Sequence, residues 1–406
     1  MEQLICYYSG SKHGWVMTDA NPFTPGAGRN PPYLAGRGSE QSAMGALLSD
    51  LDNGLAGNIL IYGLRGVGKT VLLNEFATMC EADGFLPVVQ YQYSEEHNDP
   101  EKFFEFFKQS LDDAIRKYSK KEQILAKAHA VAAQMKPKKV GAYGMEYEPS
   151  YDADTNPILM NRIMAYISKK WGSITSDHSG VIFLFDEFHT MGKNGDNATL
   201  ANFIGAMNEL QRTGQRCSVI LSGLPTLPIN VKKARSYSER MFRAMEISNI
   251  RPGKAAEAIT IPLKNTKWDF APDLVDAVIK DTERYPYFIQ YFSKQVIDLT
   301  DKNHITLADY AKIRSSIIEG LGETFFVQRI APLSSSQKKV LYAMASMPAG
   351  DLRFSDIIAA SEIRKSSLAN YMSRLVDAGL VFKSQRGFYN FTLPLLRQYL
   401  LDAAPC

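Results

Sequence analysis

The stretch GLRGVGKT, from Gly63 to Thr70, constrains this chain more than any other. Four residues separate Gly63 from Gly68, and Lys69 and Thr70 follow directly. Before it stands NILIY, Asn58 to Tyr62, a short apolar run suited to a buried strand. After it stands VLLNEFATMC, where Val71, Leu72, Asn74, Glu75, Phe76 and Met79 are spaced as in a helix facing a sheet. Glycines let a backbone turn tightly and bring its N–H groups close to an anion. A helix N-terminus adds partial positive charge at the same place. The spacing therefore predicts a phosphate-binding loop between strand and helix, made by Gly63, Arg65, Gly66, Val67, Gly68, Lys69, Thr70 and Val71. In it Lys69 reaches the β- and γ-phosphates of a nucleotide, and the Thr70 hydroxyl binds Mg²⁺.

A second run, VIFLFDEFH, is apolar throughout until it ends in Asp186 and Glu187. Such continuity is expected of a parallel strand covered on both faces. Ligands in open α/β sheets bind at the carboxyl ends of strands. Asp186 is thus the expected Mg²⁺ holder, and Glu187 the group that orients and polarises an attacking water. A third buried run, CSVILSGLP, places the hydroxyl of Ser222 at its end, within reach of a γ-phosphate or of that water.

Strands and helices alternate through the first 250 residues, which argues for an α/β parallel sheet. LPVVQYQYS reads as a strand. EKFFEFFKQSLDDAIRKYS reads as an amphipathic helix with Phe103, Phe104, Phe107, Leu111 and Ile115 as its stripe. Residues 1–38 are rich in Gly, Pro and Asn and read as an extended arm. The core is expected over 39–253, interrupted by an insertion at 119–155 in which KKVGAYGMEYEPS suggests a hairpin. Residues 254–332 read as a small helical domain. Residues 333–406 read as helix, helix, turn, helix and a hairpin turning at Arg386-Gly387.

A chain of 406 residues with 45% hydrophobic and 22% charged residues is ordinary for a globular protein of two or three domains. Cys6, Cys80, Cys217 and Cys406 show no metal-ligand spacing and no disulfide framework, so a reducing, cytoplasmic setting is expected. The N-terminus lacks the pattern of a signal peptide. The longest apolar runs, such as Val181 to Phe185, are far too short to cross a bilayer, so no membrane association is expected.

With the two motifs in place, the chain resembles the AAA+ ATPases, in the branch shared by origin-recognition-like proteins and the STAND signalling ATPases. The resemblance runs from about Pro22 to Leu401. It implies a P-loop NTPase sheet as the AAA+ core, a helical lid and a C-terminal winged helix. It also implies ATP as nucleotide, with hydrolysis to ADP. YLAGRGSEQ looks like the N-terminal box of this branch, which lies near the adenine; Gly36, Arg37 and Glu40 carry it, and Tyr33 or Leu34 packs on the base. Ser222 falls at the family's sensor-1 position. SYSERMFRAMEI resembles the segment that carries an arginine finger, here Arg240 or Arg243, in cis or across a subunit contact of a homo-oligomer. RYPYFIQYF resembles the lid segment that usually reads Gly-Tyr-Pro; its Pro286 lies near the adenine in the family, and Arg284 replaces the glycine.

Within the winged-helix pattern, SEIRKSSLANYMSRLVDAGLV fits a recognition helix with Leu368, Tyr371, Met372 and Leu375 inward. Lys365, Ser366, Asn370 and Arg374 then face outward, where they could meet double-stranded DNA. Lys383 and Arg386 would touch its backbone. Residues 333–406 hold nine basic and five acidic side chains, an excess larger than the +3 of the whole chain. Two readings follow. One is an ATP-driven switch that associates with DNA through the winged helix. The other is a STAND-like signalling or scaffold ATPase whose winged helix binds a protein partner.

Overall fold

A computed structural model describes residues 20–26, 28–91, 93–119, 159–191 and 197–402. The hairpin expected in KKVGAYGMEYEPS, most of the 119–155 segment, and Cys6 and Cys406 lie outside the described residues. The chain divides into two compact units. One runs from Arg37 to Ser248; the other joins the residues up to Gly36 to Asn249–Cys406.

The first unit is a five-stranded sheet in the order β2-β3-β4-β1-β5. Its strands are β1 (Asn58–Tyr62), β2 (Leu86–Gln90), β3 (Val181–Phe185), β4 (Cys217–Gly223) and β5 (Phe242–Glu246), and every pairing is parallel. Every residue of β3 and β4 is buried, which explains the unbroken apolar sequence of β3 and the mainly apolar one of β4. Helices Gly38–Asp52, Lys69–Ala82, Pro100–Tyr118, Leu159–Thr175 and Ala198–Arg212 belong to the same unit. Asp99 starts the third of these: its carboxylate accepts from the N–H groups of Glu101 and Lys102, both at 3.0 Å, with Pro100 in the first turn. The expected stripe of this helix faces inward at Phe103, Phe107 and Leu111, while Phe104 and Ile115 are half-buried. Phe103, Phe107, Phe183, Phe185, Phe188 and Phe203 form an aromatic cluster, with Phe107 and Phe183 ring centres 5.0 Å apart. Such rings bury large apolar areas and lock one another at preferred angles.

One strand was not expected. The FRAME segment of β5 pairs with β1 as an edge strand and buries only Phe242, so it carries no apolar run to betray it.

In the second unit, helices Pro272–Asp281, Pro286–Asp298 and Leu307–Leu321 pack with a two-residue parallel bridge, β6 (Asp269–Phe270) to β7 (His304–Ile305). The described part of the N-terminal segment, residues 20–26 and 28–36, is not a loose arm. Phe23 is buried with its ring centre 6.4 Å from that of Phe270. The Asn21 amide donates to the Lys294 carbonyl at 3.1 Å and to Asp298 Oδ1 at 2.7 Å. The apolar Phe23 among glycines and prolines supplies the anchor.

Further along come helices Ser335–Ser346, Phe354–Ser361 and Lys365–Asp377, and an antiparallel sheet in the order β8-β10-β9. β9 (Val381–Gln385) and β10 (Phe388–Phe391) flank Arg386 and Gly387, and Gly387 takes φ +83° as the turn requires. β8 (Leu352–Arg353) adds a short third strand that two residues could not announce in sequence. Ser334 and Gln337 form a reciprocal cap at the start of Ser335–Ser346. Leu368, Met372 and Leu375 are buried as expected, and Tyr371 is half-buried. The three helices and the hairpin come in the order expected, with β8 added between the first two helices.

Candidate nucleotide site

The site begins where β1 ends. Gly66 and Gly68 take φ of +77° and +93°, a region open to glycine at little cost. Gly68 caps the helix Lys69–Ala82, and a Cβ added there would meet no atom within 4 Å, so the loop surrounds open space at this point. Gly63 is the opposite case: a Cβ there would stand 2.1 Å from the Ile247 carbonyl oxygen. The first N–H groups of the helix have no intrahelical acceptor, as at any helix start, and suit an anion.

Lys69 is buried, and its ammonium donates to the carbonyls of Gly63 at 2.9 Å and Leu64 at 2.8 Å. Burial pulls its pKa below the usual lysine value; the carboxylates of Glu187 and Asp186 act against that shift, and Arg65 adds to it.

Sheet order brings the other groups together. β4 lies between β1 and β3, and Phe185 pairs with Leu221, so Ser222 is level with Asp186. Asp186 is buried and gathers three donors: the Thr70 hydroxyl to Oδ2 at 2.5 Å, the Ser222 hydroxyl to Oδ1 at 2.6 Å, and the Glu187 N–H to Oδ1 at 2.9 Å. Its own N–H donates to the Gln90 carbonyl at 2.8 Å. A carboxylate and a hydroxyl held in contact are a hard oxygen donor set, which fits Mg²⁺. Ser222 therefore meets Asp186 itself.

Glu187 follows in a left-handed conformation, φ +54°. For a residue with a Cβ this conformation carries a modest cost and is often found at functional sites. Burial raises its carboxyl above the usual range; Asp186 pushes the same way, while Lys69 and Arg65 oppose it. His189, which sequence reasoning passed over, puts Nδ1 3.5 Å from Glu187 Oε2. Its place two residues after Glu187 was the available signal.

Arg37 is buried, and one guanidinium nitrogen donates to the carbonyls of Val67 at 3.0 Å and Ser248 at 2.6 Å. Glu40 lies 3.8 Å from the other. Tyr33, in the second unit, donates to Glu257 at 3.1 Å, and Leu34 is half-buried.

The arginines expected as fingers lie elsewhere. Phe242 pairs with Asn58, at the start of β1, so Arg240 and Arg243 sit at the N-terminal end of the sheet. The phosphate loop follows the opposite end of β1. Five residues of strand put roughly 13 Å between those ends, before the loop itself is counted. The cis form of the finger is therefore corrected: within one chain neither side chain reaches its own loop. Both line an open cavity of about 480 Å³ together with Asn58, Asn208, Gln211 and Arg212. Pro286 opens the helix Pro286–Asp298 of the second unit, and Arg284 before it takes φ +63°. Lys365, Ser366, Asn370, Arg374, Lys383 and Arg386 are all exposed.

Among the described residues, no helix is long and apolar enough to cross a membrane. Solved structures of similar fold include a Walker-type ATPase of Pyrococcus abyssi, 14% identical, TM-score 0.54, matching 90% of this chain and 95% of its own. Another is the Orc1 protein of Aeropyrum pernix in complex with DNA, 16% identical, TM-score 0.47, matching 92% and 94%. An uncharacterized HTH-type transcriptional regulator of Methanocaldococcus jannaschii is 20% identical over 379 residues, covering 90% of this chain and 88% of that protein. Residues 323–400 match a domain of unknown function. Residues 41–279, more than half of the chain, match the family described as an ATPase domain predominantly from Archaea, and the chain belongs to that family.

Proposed function

We propose that the protein is a Mg²⁺-dependent ATPase that works as a switch, coupling its nucleotide state to association with double-stranded DNA. One observation carries the enzymatic part. Thr70, Ser222 and the Glu187 N–H converge on Asp186, in the same unit as the buried Lys69.

Phosphates enter the loop formed by Gly63, Arg65, Gly66, Val67, Gly68, Lys69, Thr70 and Val71. Lys69 exchanges its two carbonyl acceptors for phosphate oxygens, a stronger charge-assisted pairing. Mg²⁺ held by Thr70 and Asp186 would neutralise phosphate charge and orient the γ-phosphoryl group. Glu187 orients water and takes its proton, and its raised pKa suits a base. Ser222 fixes the Asp186 carboxylate. Arg240 or Arg243 supplies a finger to the site of a second copy, since neither reaches its own.

DNA association is supported by the exposure of Lys365, Ser366, Arg374, Lys383 and Arg386, and by the relative named as an HTH-type transcriptional regulator. Phosphate-driven binding weakens steeply as salt rises. The test is binding of double-stranded DNA across a salt titration, by wild type and by a Lys365→Glu, Arg374→Glu variant. The expected result is a steep salt slope for wild type and at least a tenfold loss for the variant, about 1.4 kcal/mol. Equal binding by both would move the surface to the alternative of a STAND-like ATPase that engages a protein partner.

A further inference from the structure

Arg37 and Ser248 are the first and last residues of the unit that holds the phosphate loop. The chain therefore passes between the two units twice, at 36–37 and at 248–249. Both joints lie one residue from a hydrogen bond of the Arg37 guanidinium, and the same guanidinium holds the carbonyl of Val67, within the phosphate loop. The outgoing segment is tied to that loop a second time. Ile247 donates to the Tyr62 carbonyl at 2.7 Å, and its own carbonyl closes over Gly63 where no Cβ would fit.

Burying a guanidinium is costly unless its donors are satisfied. Here two of its partners are neutral carbonyls from segments far apart in sequence, and Glu40 at 3.8 Å gives a looser charge pairing. A shorter side chain could not bridge two such acceptors. Lysine ends one bond short of the nitrogen that makes both hydrogen bonds, and its compact ammonium is more strongly hydrated. The Val67 carbonyl belongs to the peptide that leads into Gly68, whose left-handed conformation shapes the loop. A rotation of that peptide on phosphate binding moves the acceptor that Arg37 holds.

We propose that Arg37 is a positioning residue that links the conformation of the phosphate loop to both chain joints, so that phosphate occupancy of the loop is transmitted to residues 36–37 and 247–249. This rests on the nucleotide-binding reading of the loop.

The experiment is backbone hydrogen exchange with and without ADP, on the full chain and on Arg37→Gln and Arg37→Lys variants, beside direct measurement of ADP binding. In wild type, ADP should slow exchange at 247–249 as well as in the loop. Both variants should still bind ADP, weakened by less than about tenfold, or 1.4 kcal/mol. In both, protection should stay within the loop and vanish at 247–249. Thermal unfolding of each variant checks that it is folded, and Arg37→Lys keeps the charge if Arg37→Gln does not fold. Protection at 247–249 that survives in the variants would overturn the inference. So would loss of ADP binding by a folded variant, which would make Arg37 a direct ligand contact. If wild type binds no ADP, the nucleotide reading fails; if it binds ADP with no change at 247–249, only the link fails.

Discussion

Glu187 sits between two opposing influences, and pH should reveal them. Burial and the neighbouring Asp186 raise its carboxyl pKa, against the pull of Lys69 and Arg65. A base works as the carboxylate, so hydrolysis should fall as pH drops through this raised value. The acid limb of kcat/KM against pH should therefore lie above the ordinary glutamate range, and an acid limb at the ordinary value would count against Glu187 as the base. The same shift has a sign for stability. A raised folded-state value favours the folded form below the ordinary glutamate pKa, and that contribution is lost as pH rises through the raised one. At this scale the sequence was informative where function depends on neighbours in the chain. Lys69, Thr70 and the Asp186-Glu187 pair are local patterns, so spacing alone exposed them. Arg37 was seen, but its partners were not. Val67 and Ser248 lie 30 and 211 positions away, and only the folded chain brings them to one guanidinium. The cis finger failed for a related reason, because a helix-like segment reveals nothing of which end of a sheet it occupies.

Among the elements, the helices were the most legible. Met44, Leu47, Leu48 and Leu51 recur at helical spacing, and all four are buried on one face of Gly38–Asp52. β1, β3 and β4 announced themselves by mainly apolar runs, which a sheet covered on both faces demands. β5 and β8 did not: one is a largely exposed edge and the other is two residues long. Packing rather than pattern decides how much each element contributes. Phe203 on the helix Ala198–Arg212 meets the rings of Phe103, Phe107, Phe185 and Phe188. Phe203→Ala should remove those contacts and leave a cavity beside β3, costing about 3–5 kcal/mol. Chemical denaturation should show this as a lower midpoint with little change in slope. A loss under about 1 kcal/mol would mean that the cluster repacks around the gap.

Taken whole, the molecule places the phosphate loop and the candidate finger arginines at opposite ends of one sheet. An arrangement of this kind serves catalysis only if copies meet head to tail, with the Arg240 end of one against the loop of the next. Mixing two inactive variants tests it. Glu187→Gln lacks the base but keeps its arginines; Arg240→Ala combined with Arg243→Ala lacks the fingers but keeps the base. If the finger acts between chains, the mixture should recover part of the activity that each lacks alone. No recovery in a mixture shown to co-assemble would remove the arginines from the reaction. Sequence could not have decided this, because it gives neither the direction of a strand in space nor the surface of a second copy.

The most direct test of the central claim is steady-state ATP hydrolysis with Mg²⁺ by wild type and by Glu187→Gln, beside ATP binding by each. Wild type should turn over. Glu187→Gln should bind ATP as tightly yet lose at least about a hundredfold in rate, the usual worth of a positioned general base. Equal rates for the two proteins would contradict the account, because the site would then hydrolyse ATP without the residue assigned to activate water.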